Sequence, residues 1–183
     1  MKTVTAMKIQ QSKRTKKKVL RKQISTTTSI TCGKENPASL GCVFYELEGG
    51  EVATVFRCGT LQEGHEGIMH GGLSGAVLDE VMGRANRSYD RLTGGLKVPV
   101  VTGEMTVKYL KPIMSGEPMI AYGRVDSKDG RKRFASGEIV NEAGEIMASA
   151  TGVYVSVDFV DNNTDQKQAQ LGMELGPDDP EEL

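Results

Sequence analysis

One acidic residue, Asp79, lies on a predicted helical face that carries almost no side chains. By the i, i+3, i+4, i+7 rule this face holds Gly72, Gly75, Ala76, Asp79 and Gly83. Each glycine inside a helix costs roughly 1 kcal/mol relative to alanine, so local stability does not explain the pattern. The bare face either lets another backbone approach closely or leaves a channel for a ligand beside the carboxylate.

The beginning of the same helix is a second place where charge chemistry is expected. Asp79 follows a glycine-rich start, where free N–H groups and the helix dipole stabilise developing negative charge. His70 immediately precedes the helix and can orient a substrate carbonyl, cap the helix by hydrogen bonding or shift a neighbouring pKa. The other acid, Glu80, sits about 100° around the helix and precedes Arg84 by four residues, so we expect an ion pair there.

Apolar periodicity predicts the elements that hold these residues. Two strand-like runs, 43–48 and 52–57, are joined by Gly49-Gly50, which favours a tight antiparallel hairpin. A helix is predicted over 71–89, where apolar residues recur at spacings of three and four. The sequence Thr93-Gly94-Gly95 supplies its stop signal.

Everything after the helix is predicted to be strand. Residues 101–109 alternate between apolar and polar side chains, which is typical of a sheet with one buried face. Further strands are predicted at 119–125, 134–140 and 146–157, with turns at Asp129-Gly130 and Ala143-Gly144. The expected class is α+β, with an antiparallel sheet of about six strands wrapped around one long helix. Exposed edge strands favour pairing with a second copy, so a homodimer is expected.

Length and composition limit the class of protein. The chain has 183 residues, which predicts one domain, and no stretch approaches the ~18 to 20 consecutive apolar residues of a membrane span. Three cysteines and two histidines show no metal-ligand spacing, so no metal is expected. Glycine-rich phosphate motifs and the serine-hydrolase elbow are not matched. We therefore expect a cytoplasmic protein.

Charge is distributed unevenly along the chain. Residues 1–34 hold ten basic side chains and no acidic one, whereas residues 158–183 hold eight acids and one lysine. We expect a basic N-terminal segment (1–38), a folded domain (39–158) and an acidic C-terminal tail (159–183), with both ends solvated. The basic segment lacks interleaved aromatic residues, so nucleic acid is not an expected partner. A plain tail, an accessory helix and contact with a membrane surface are the alternatives for this segment, of which membrane contact is the least expected.

The residues around the helix start resemble a known signature. The run 64–73 (GHEGIMHGGL), continued by 77–83 (VLDEVMG), resembles the HGG-x(6)-D signature of hotdog-fold thioesterases of the phenylacetate-degradation (PaaI-like) type. The likeness covers about residues 40–157, including 102–112 (TGEMTVKYLKP) and the hairpin 130–134 (GRKRF). It implies the hotdog fold and an enzyme that hydrolyses an acyl-CoA thioester.

The resemblance also implies roles for individual residues. Asp79 matches the family's acid, which acts as nucleophile or as general base on water. The Gly71 N–H, directly after His70, matches the donor to the oxyanion. Thr102 matches a Ser or Thr that holds the water and faces Asp79 of the other subunit. The substrate-binding set is Met69, Gly72, Gly75, Arg131 and Lys132, of which the two basic residues match those that meet the phosphates of coenzyme A.

Some features depart from the family or leave alternatives. Gly64 stands where some members carry Asn or Gln, with Gln62 as the candidate substitute. The hydratase branch of the fold is excluded because no Asp precedes His70 in the loop. The alternative to an enzyme is a non-catalytic sensor that binds acyl-CoA or lipid. No cofactor is implied beyond the coenzyme A of the substrate, and the implied assembly is a homodimer that associates further into a homotetramer.

Overall fold

One long helix lies against one large sheet in the computed structural model, which describes residues 10–95, 99–157 and 175–183. Residues 1–9 of the basic segment and 159–174 of the acidic tail lie outside the described residues. In chain order the elements are β1 (Val19–Lys22), β2 (Val43–Leu47), β3 (Val52–Arg57), β4 (Glu63–His65), β5 (Ile68–Met69), α1 (Gly71–Thr93), β6 (Val100–Tyr109), β7 (Pro118–Asp129), β8 (Lys132–Asn141) and β9 (Ile146–Ser156).

The sheet is antiparallel throughout and has the strand order β1-β2-β3-β7-β8-β9-β6. The strands β4 and β5 form a separate small hairpin that leads into the helix. The predicted α+β class with one central helix is confirmed. The predicted number of about six strands is wrong, because the main sheet has seven. The additional strand is β1, whose four residues come from the basic segment that was predicted to be solvated.

Local sequence signals agree with the structure in the first hairpin and at both ends of the helix. Gly49 and Gly50, between β2 and β3, have φ values of 82° and 81°, a left-handed conformation that glycine adopts without strain. The helix begins directly after His70 and ends at Gly94, which has φ 67° and caps it. It is therefore four residues longer than the predicted 71–89.

The helix packs its apolar face directly on the sheet. The side chains of Val77, Val81 and Ala85 are fully buried in the core. Gly123 of β7 lies under the helix so closely that a Cβ there would stand 2.5 Å from the Val81 carbonyl carbon. Because this contact is with backbone, the glycine sets how near the sheet can come to the helix.

Several residues of the described basic segment pack on the domain, so the prediction of a solvated segment is wrong for them, whereas Lys13, Lys16 and Lys18 are exposed as predicted. Arg14 and Lys17 both pair with Glu51. Further along, the amide oxygen of Gln23 and the carbonyl of Ile24 accept from the buried guanidinium of Arg84 at 3.3 and 2.9 Å. Arg14 and Lys17 thus have a partner elsewhere in the fold, which net charge counted along the chain did not reveal.

The described end of the acidic segment, residues 175–183, lies along the outer edge of β1. The Val19 N–H donates to the Glu181 carbonyl at 2.8 Å, and the Lys17 N–H donates to the Leu183 carbonyl at 2.7 Å. These bonds continue the sheet and cover one of its two edges. The other edge, β6, pairs only with β9 among the described residues.

An ion pair fastens this segment and makes it sensitive to acid. The Asp179 carboxylate lies 2.7 Å from the Lys22 Nζ and accepts from the Tyr45 hydroxyl at 2.8 Å. The hydrogen bond from Lys22, followed by that from the Gly176 amide, lowers the pKa of Asp179 from 3.8 to about 2. The unfolded chain therefore binds more protons than the folded one between these values, and stability falls as the pH is lowered through them.

We expect Asp179→Asn to be less stable than the wild type at pH 5 and above, because the ionised carboxylate then contributes fully. The difference should shrink between about pH 4 and pH 2 as Asp179 becomes protonated in the wild type. Urea unfolding of both proteins at pH 6, 4, 3 and 2 measures this difference. A gap that stays constant over this range would show that the charge of Asp179 does not hold the segment.

Candidate active site

The carboxylate of Asp79 is held by two hydroxyl groups from the sheet. Its Oδ1 atom accepts a hydrogen bond from the Thr102 hydroxyl of β6 at 2.8 Å and another from the Tyr154 hydroxyl of β9 at 2.9 Å. Tyr154 also lies 3.0 Å from the Asp79 main-chain carbonyl and donates toward it. A helical carboxylate is thereby tied to two neighbouring strands.

A β-bulge brings Thr102 to the helix. In the pairing of β6 with β9, Thr102 lies opposite Tyr154 while Glu104 lies opposite Val153, so Gly103 is the extra residue. Such a bulge shifts the alternation of side chains by one position. Thr102 therefore reaches Asp79 of its own chain, and the prediction that it faces Asp79 of the other subunit is wrong for this contact.

Tyr154 is a site residue that the sequence did not reveal. It lies within the apolar run of β9 and its side chain is 1% exposed. Burial raises the pKa of this phenol, and the charge of Asp79 raises it further. The hydroxyl therefore stays protonated and acts as a hydrogen-bond donor. A buried tyrosine usually has a polar partner for its hydroxyl, but the strand pattern does not say which one.

His70 caps the helix, which is one of the three roles considered for it. Its Nδ1 atom accepts from the Gly72 N–H at 3.0 Å, so Gly72 has no free amide for a ligand. Gly71, one residue earlier, has no acceptor for its own N–H among the described residues. The free amide at the helix start is therefore that of Gly71, and its role as a donor to an oxyanion stays a prediction.

A pocket of about 300 Å³ opens beside this helix start. Gly71 and Met69 line it together with the segment that follows β6. Its apolar lining comes from Met69, Leu110, Pro112, Ile113 and Ala148. The Tyr109 hydroxyl, also in the lining, donates to the Gly71 carbonyl at 3.1 Å and so holds the strand against the first turn.

The bare helical face accommodates side chains of the sheet. A Cβ at Gly75 would stand 3.6 Å from the Tyr109 hydroxyl and 3.9 Å from the Met105 Cε. A Cβ at Gly83 would stand 3.6 Å from the Tyr154 ring. Close approach of another backbone does not describe these two positions, because the nearest atoms belong to side chains of the sheet and stand at ordinary van der Waals distances. Gly75, predicted to bind substrate, is buried under β6.

The predicted residues do not all meet within one chain. Gly71 and Asp79 are eight positions apart on one helix, which at 1.5 Å per residue separates them by about 12 Å. Lys132 begins β8 and is exposed. The next residue, Arg133, lies opposite Tyr154 of β9, which in turn lies opposite Thr102 of β6. The guanidinium of Arg131, adjacent to Lys132, donates to the Ser156 carbonyl at 2.7 and 3.1 Å. Both cations thus lie near the end of the sheet whose residues Thr102 and Tyr154 bond Asp79.

Two other polar residues have structural partners. Glu80 pairs with Arg84 at 2.7 Å, as its spacing predicted. Gln62 accepts from the Gly59 N–H at 2.7 Å and donates to the Ala38 carbonyl at 3.0 Å. Because the buried amide of Gln62 bonds the backbone at both ends, it does not substitute for the polar residue missing at Gly64.

The arrangement of one helix in a curled antiparallel sheet, with HGG-x(6)-D along that helix, matches a known family. Residues 66–148 match the family model of the thioesterase superfamily. A crystal structure of a thioesterase superfamily protein superposes with a TM-score of 0.62 and 28% identity, covering 70% of this chain and 60% of that one. Residues 66–148 are thus similar to the thioesterase superfamily, and the domain has the hotdog fold.

Individual relatives are similar over the same region. The acyl-coenzyme A thioesterase THEM4 of Xenopus laevis is 31% identical over 117 residues, which are 63% of this chain and 50% of that protein. This chain therefore spans about half the length of that relative. The PaaI protein of the phenylacetic acid degradation operon of E. coli has the same fold, with a TM-score of 0.57 and 18% identity over 65% of this chain and 81% of that one. In the part of the chain that the structure describes, no helix has the length and apolar character needed to cross a membrane.

Proposed function

We propose that this domain hydrolyses an acyl-CoA thioester to the free acid and coenzyme A, with Asp79 as the reacting carboxylate. The observation that carries the proposal is the fixed carboxylate of Asp79, one of whose oxygens accepts both hydroxyl hydrogen bonds. It stands in the signature of a superfamily that includes a relative named as an acyl-coenzyme A thioesterase. Coenzyme A enters as part of the substrate, and the proposed reaction uses no separate cofactor.

The reaction balances with Asp79 in either of two roles. As a general base, Asp79 takes a proton from water while the water oxygen attacks the thioester carbonyl carbon. The C–S bond then breaks, and the departing CoA thiolate receives that proton. As a nucleophile, the carboxylate oxygen attacks the same carbon and expels CoA, and water then cleaves the resulting anhydride. In both routes negative charge develops on the carbonyl oxygen, which a main-chain N–H stabilises.

The geometry of the helix supports a site shared between two copies of the chain. A carbonyl under attack must lie about 3 Å from the nucleophile or base and also from the oxyanion donor. Gly71 and Asp79 of one helix, about 12 Å apart, cannot both meet this condition. We therefore propose a homodimer in which Asp79 of one copy and the Gly71 N–H of the other act on the same thioester. Further association into a tetramer remains a prediction.

The open edge of the sheet is the surface we propose for this dimer. The ten residues of β6 are mostly exposed, with Val101 at 41% and Tyr109 at 56%. Antiparallel pairing of β6 with its counterpart would join the two sheets and satisfy the unpaired backbone groups of both edges. The opposite edge is covered by residues 181–183, so it is less suited to such pairing.

The remaining predicted residues suit the two ends of the substrate. The apolar lining of the pocket beside Gly71 suits an acyl group, and its volume of about 300 Å³ is at the small end of the usual range for ligand pockets. The exposed Lys132, together with Arg131, suits the phosphates of the nucleotide. A cytoplasmic location and PaaI-like substrate preference remain predictions.

The test of this function is hydrolysis of a panel of aromatic, short, medium and long acyl-CoAs by the purified chain, followed by thioester absorbance. We expect release of CoA from at least one member. Acyl-pantetheine, which lacks the nucleotide phosphates, should give a higher KM for the same acyl group. If no member is hydrolysed while acyl-CoA still binds, the non-catalytic sensor becomes the better description.

A further inference from the structure

We propose that Tyr154 is a positioning residue for Asp79, and that Asp79 Oδ2 is the oxygen that meets the water or the thioester. This inference rests on the proposed function and adds a residue and an atom to it. Both sheet hydroxyls, from Thr102 and Tyr154, donate to Oδ1 at 2.8 and 2.9 Å. Among the described residues none donates to Oδ2. The two oxygens of one carboxylate therefore have different surroundings.

Two donors are needed to orient the carboxylate plane. The terminal torsion of an aspartate is broad, because a carboxylate on an sp³ carbon has no sharp rotamer. One donor on Oδ1 still allows the group to turn about that contact. A second donor from a different strand fixes the plane and directs Oδ2 away from both hydroxyls. An acid that reacts through Oδ2 gains from this arrangement, because the reacting atom is already aligned.

The ring of Tyr154 is buried between Gly83 of the helix and Gly152 of β9. A Cβ at Gly83 of the helix would stand 3.6 Å from one side of the ring, and a Cβ at Gly152 of β9 would stand 3.1 Å from another ring carbon. The second distance is too short for a side chain without movement of the ring. Gly152 thus keeps clear the position that Tyr154 occupies, and the tyrosine is 1% exposed.

The hydroxyl of Tyr154 lies beside that of Thr102 and is directed at Asp79. It donates to the Asp79 carboxylate and toward its main-chain carbonyl, and both acceptors belong to the same residue. Because the phenol is buried, water does not compete for these bonds. A change at this hydroxyl should therefore affect the orientation of Asp79 and leave the binding of substrate intact.

The experiment is Tyr154→Phe, which removes the hydroxyl and keeps the ring between the two glycines. We expect kcat to fall by about 10- to 100-fold because the carboxylate loses its alignment, while KM changes by less than about twofold. The matched control is Tyr45→Phe, which removes a tyrosine-to-aspartate hydrogen bond of 2.8 Å on the opposite edge of the sheet. It should leave kcat unchanged.

The other donor supplies a second variant. Thr102→Val removes one bond to Oδ1 and Thr102→Ser keeps it. We expect the serine variant to recover most of the kcat that the valine variant loses. The Tyr154→Phe/Thr102→Val double variant should approach the kcat of a protein without the Asp79 carboxylate.

The outcomes separate this inference from the proposed function. A wild type that hydrolyses no acyl-CoA would overturn the function itself. An active wild type, with Tyr154→Phe equal to it in kcat, would overturn the positioning role and leave the function standing. A rise in KM at constant kcat would show that Tyr154 contacts the substrate region instead. If Tyr154→Phe does not fold, equal kcat in the valine and serine variants at position 102 would contradict the assignment of Oδ1 as the anchored oxygen.

Discussion

Asp79→Asn is expected to lower kcat by about 10³-fold or more, the range in which general acid–base and nucleophilic groups contribute. The asparagine Oδ1 can still accept from Thr102 and Tyr154, which hold the aspartate at 2.8 and 2.9 Å. The amide nitrogen then occupies the place of Oδ2, where it can neither take a proton nor attack a carbonyl. The measurement is kcat on the best acyl-CoA of the panel, together with the free energy of unfolding in urea.

The matched control is Asp179→Asn, which changes a carboxylate that also accepts from a tyrosine hydroxyl but lies on the covered edge of the sheet. It should keep the wild-type kcat at pH 7. We expect Asp79→Asn to unfold at nearly the wild-type urea concentration, because the side chain keeps its shape and its two donors. A fall in stability that parallels the loss of activity would refute the catalytic role of Asp79.

Gly71→Pro is expected to lower kcat by about 10²- to 10³-fold, the cost of losing one oxyanion donor. Position 71 is the first of the helix, where proline is well tolerated because its missing N–H has no partner within the helix. The residue before a proline must be extended, and His70 already has φ −62° and ψ 127°. The substitution thus removes the amide proton and preserves the helix. Steady-state kinetics and circular dichroism measure the two effects.

Gly71→Ala serves as the comparison because it retains the amide. Its Cβ would stand 3.5 Å from the Tyr109 ring, an ordinary contact. We expect it to keep far more activity than the proline variant. Equal losses in the two variants would mean that the added bulk, and not the missing donor, causes the defect.

Mixed dimers then test whether the site is shared. If each site takes Asp79 from one chain and Gly71 from the other, a dimer of one Asp79→Asn chain and one Gly71→Pro chain has both defects in one of its two sites. The other site of that dimer is intact. Mixing and reassociating the two nearly inactive proteins should therefore restore about a quarter of the wild-type activity, because half of the dimers are mixed and each has one intact site. Activity that stays at the level of the separate variants would place the whole site in one chain.

The local elements of this fold could be predicted because each is encoded by nearby residues. Gly49-Gly50 permits the tight turn of the first hairpin, and Gly94 ends the helix in a left-handed conformation. Helical spacing placed Val77, Val81 and Ala85 on the buried face. The strand limits from 100 to 156 likewise follow apolar runs bounded by turns. In each case the signal and the structure lie within a few residues of each other.

The largest errors in the predictions concern partners distant in the chain. The basic segment was expected to be solvated because it is rich in lysine, but β1 pairs with β2, and Lys22 meets Asp179. An opposite charge more than 150 positions away cannot be assigned as a partner from composition alone. The same limit applies to Gln62, whose amide bonds backbone groups at Gly59 and Ala38.

The sequence by itself determined the candidate carboxylate, since HGG-x(6)-D places Gly71 at a helix start and Asp79 eight positions along the same helix. Only the tertiary structure decided how that carboxylate is held. A bulge at Gly103 turns Thr102 toward the helix, and the register of β6 with β9 sets Tyr154 beside it. The reason is physical: helical geometry follows from residues three and four apart, whereas strand register depends on the packing of whole strands against a common core.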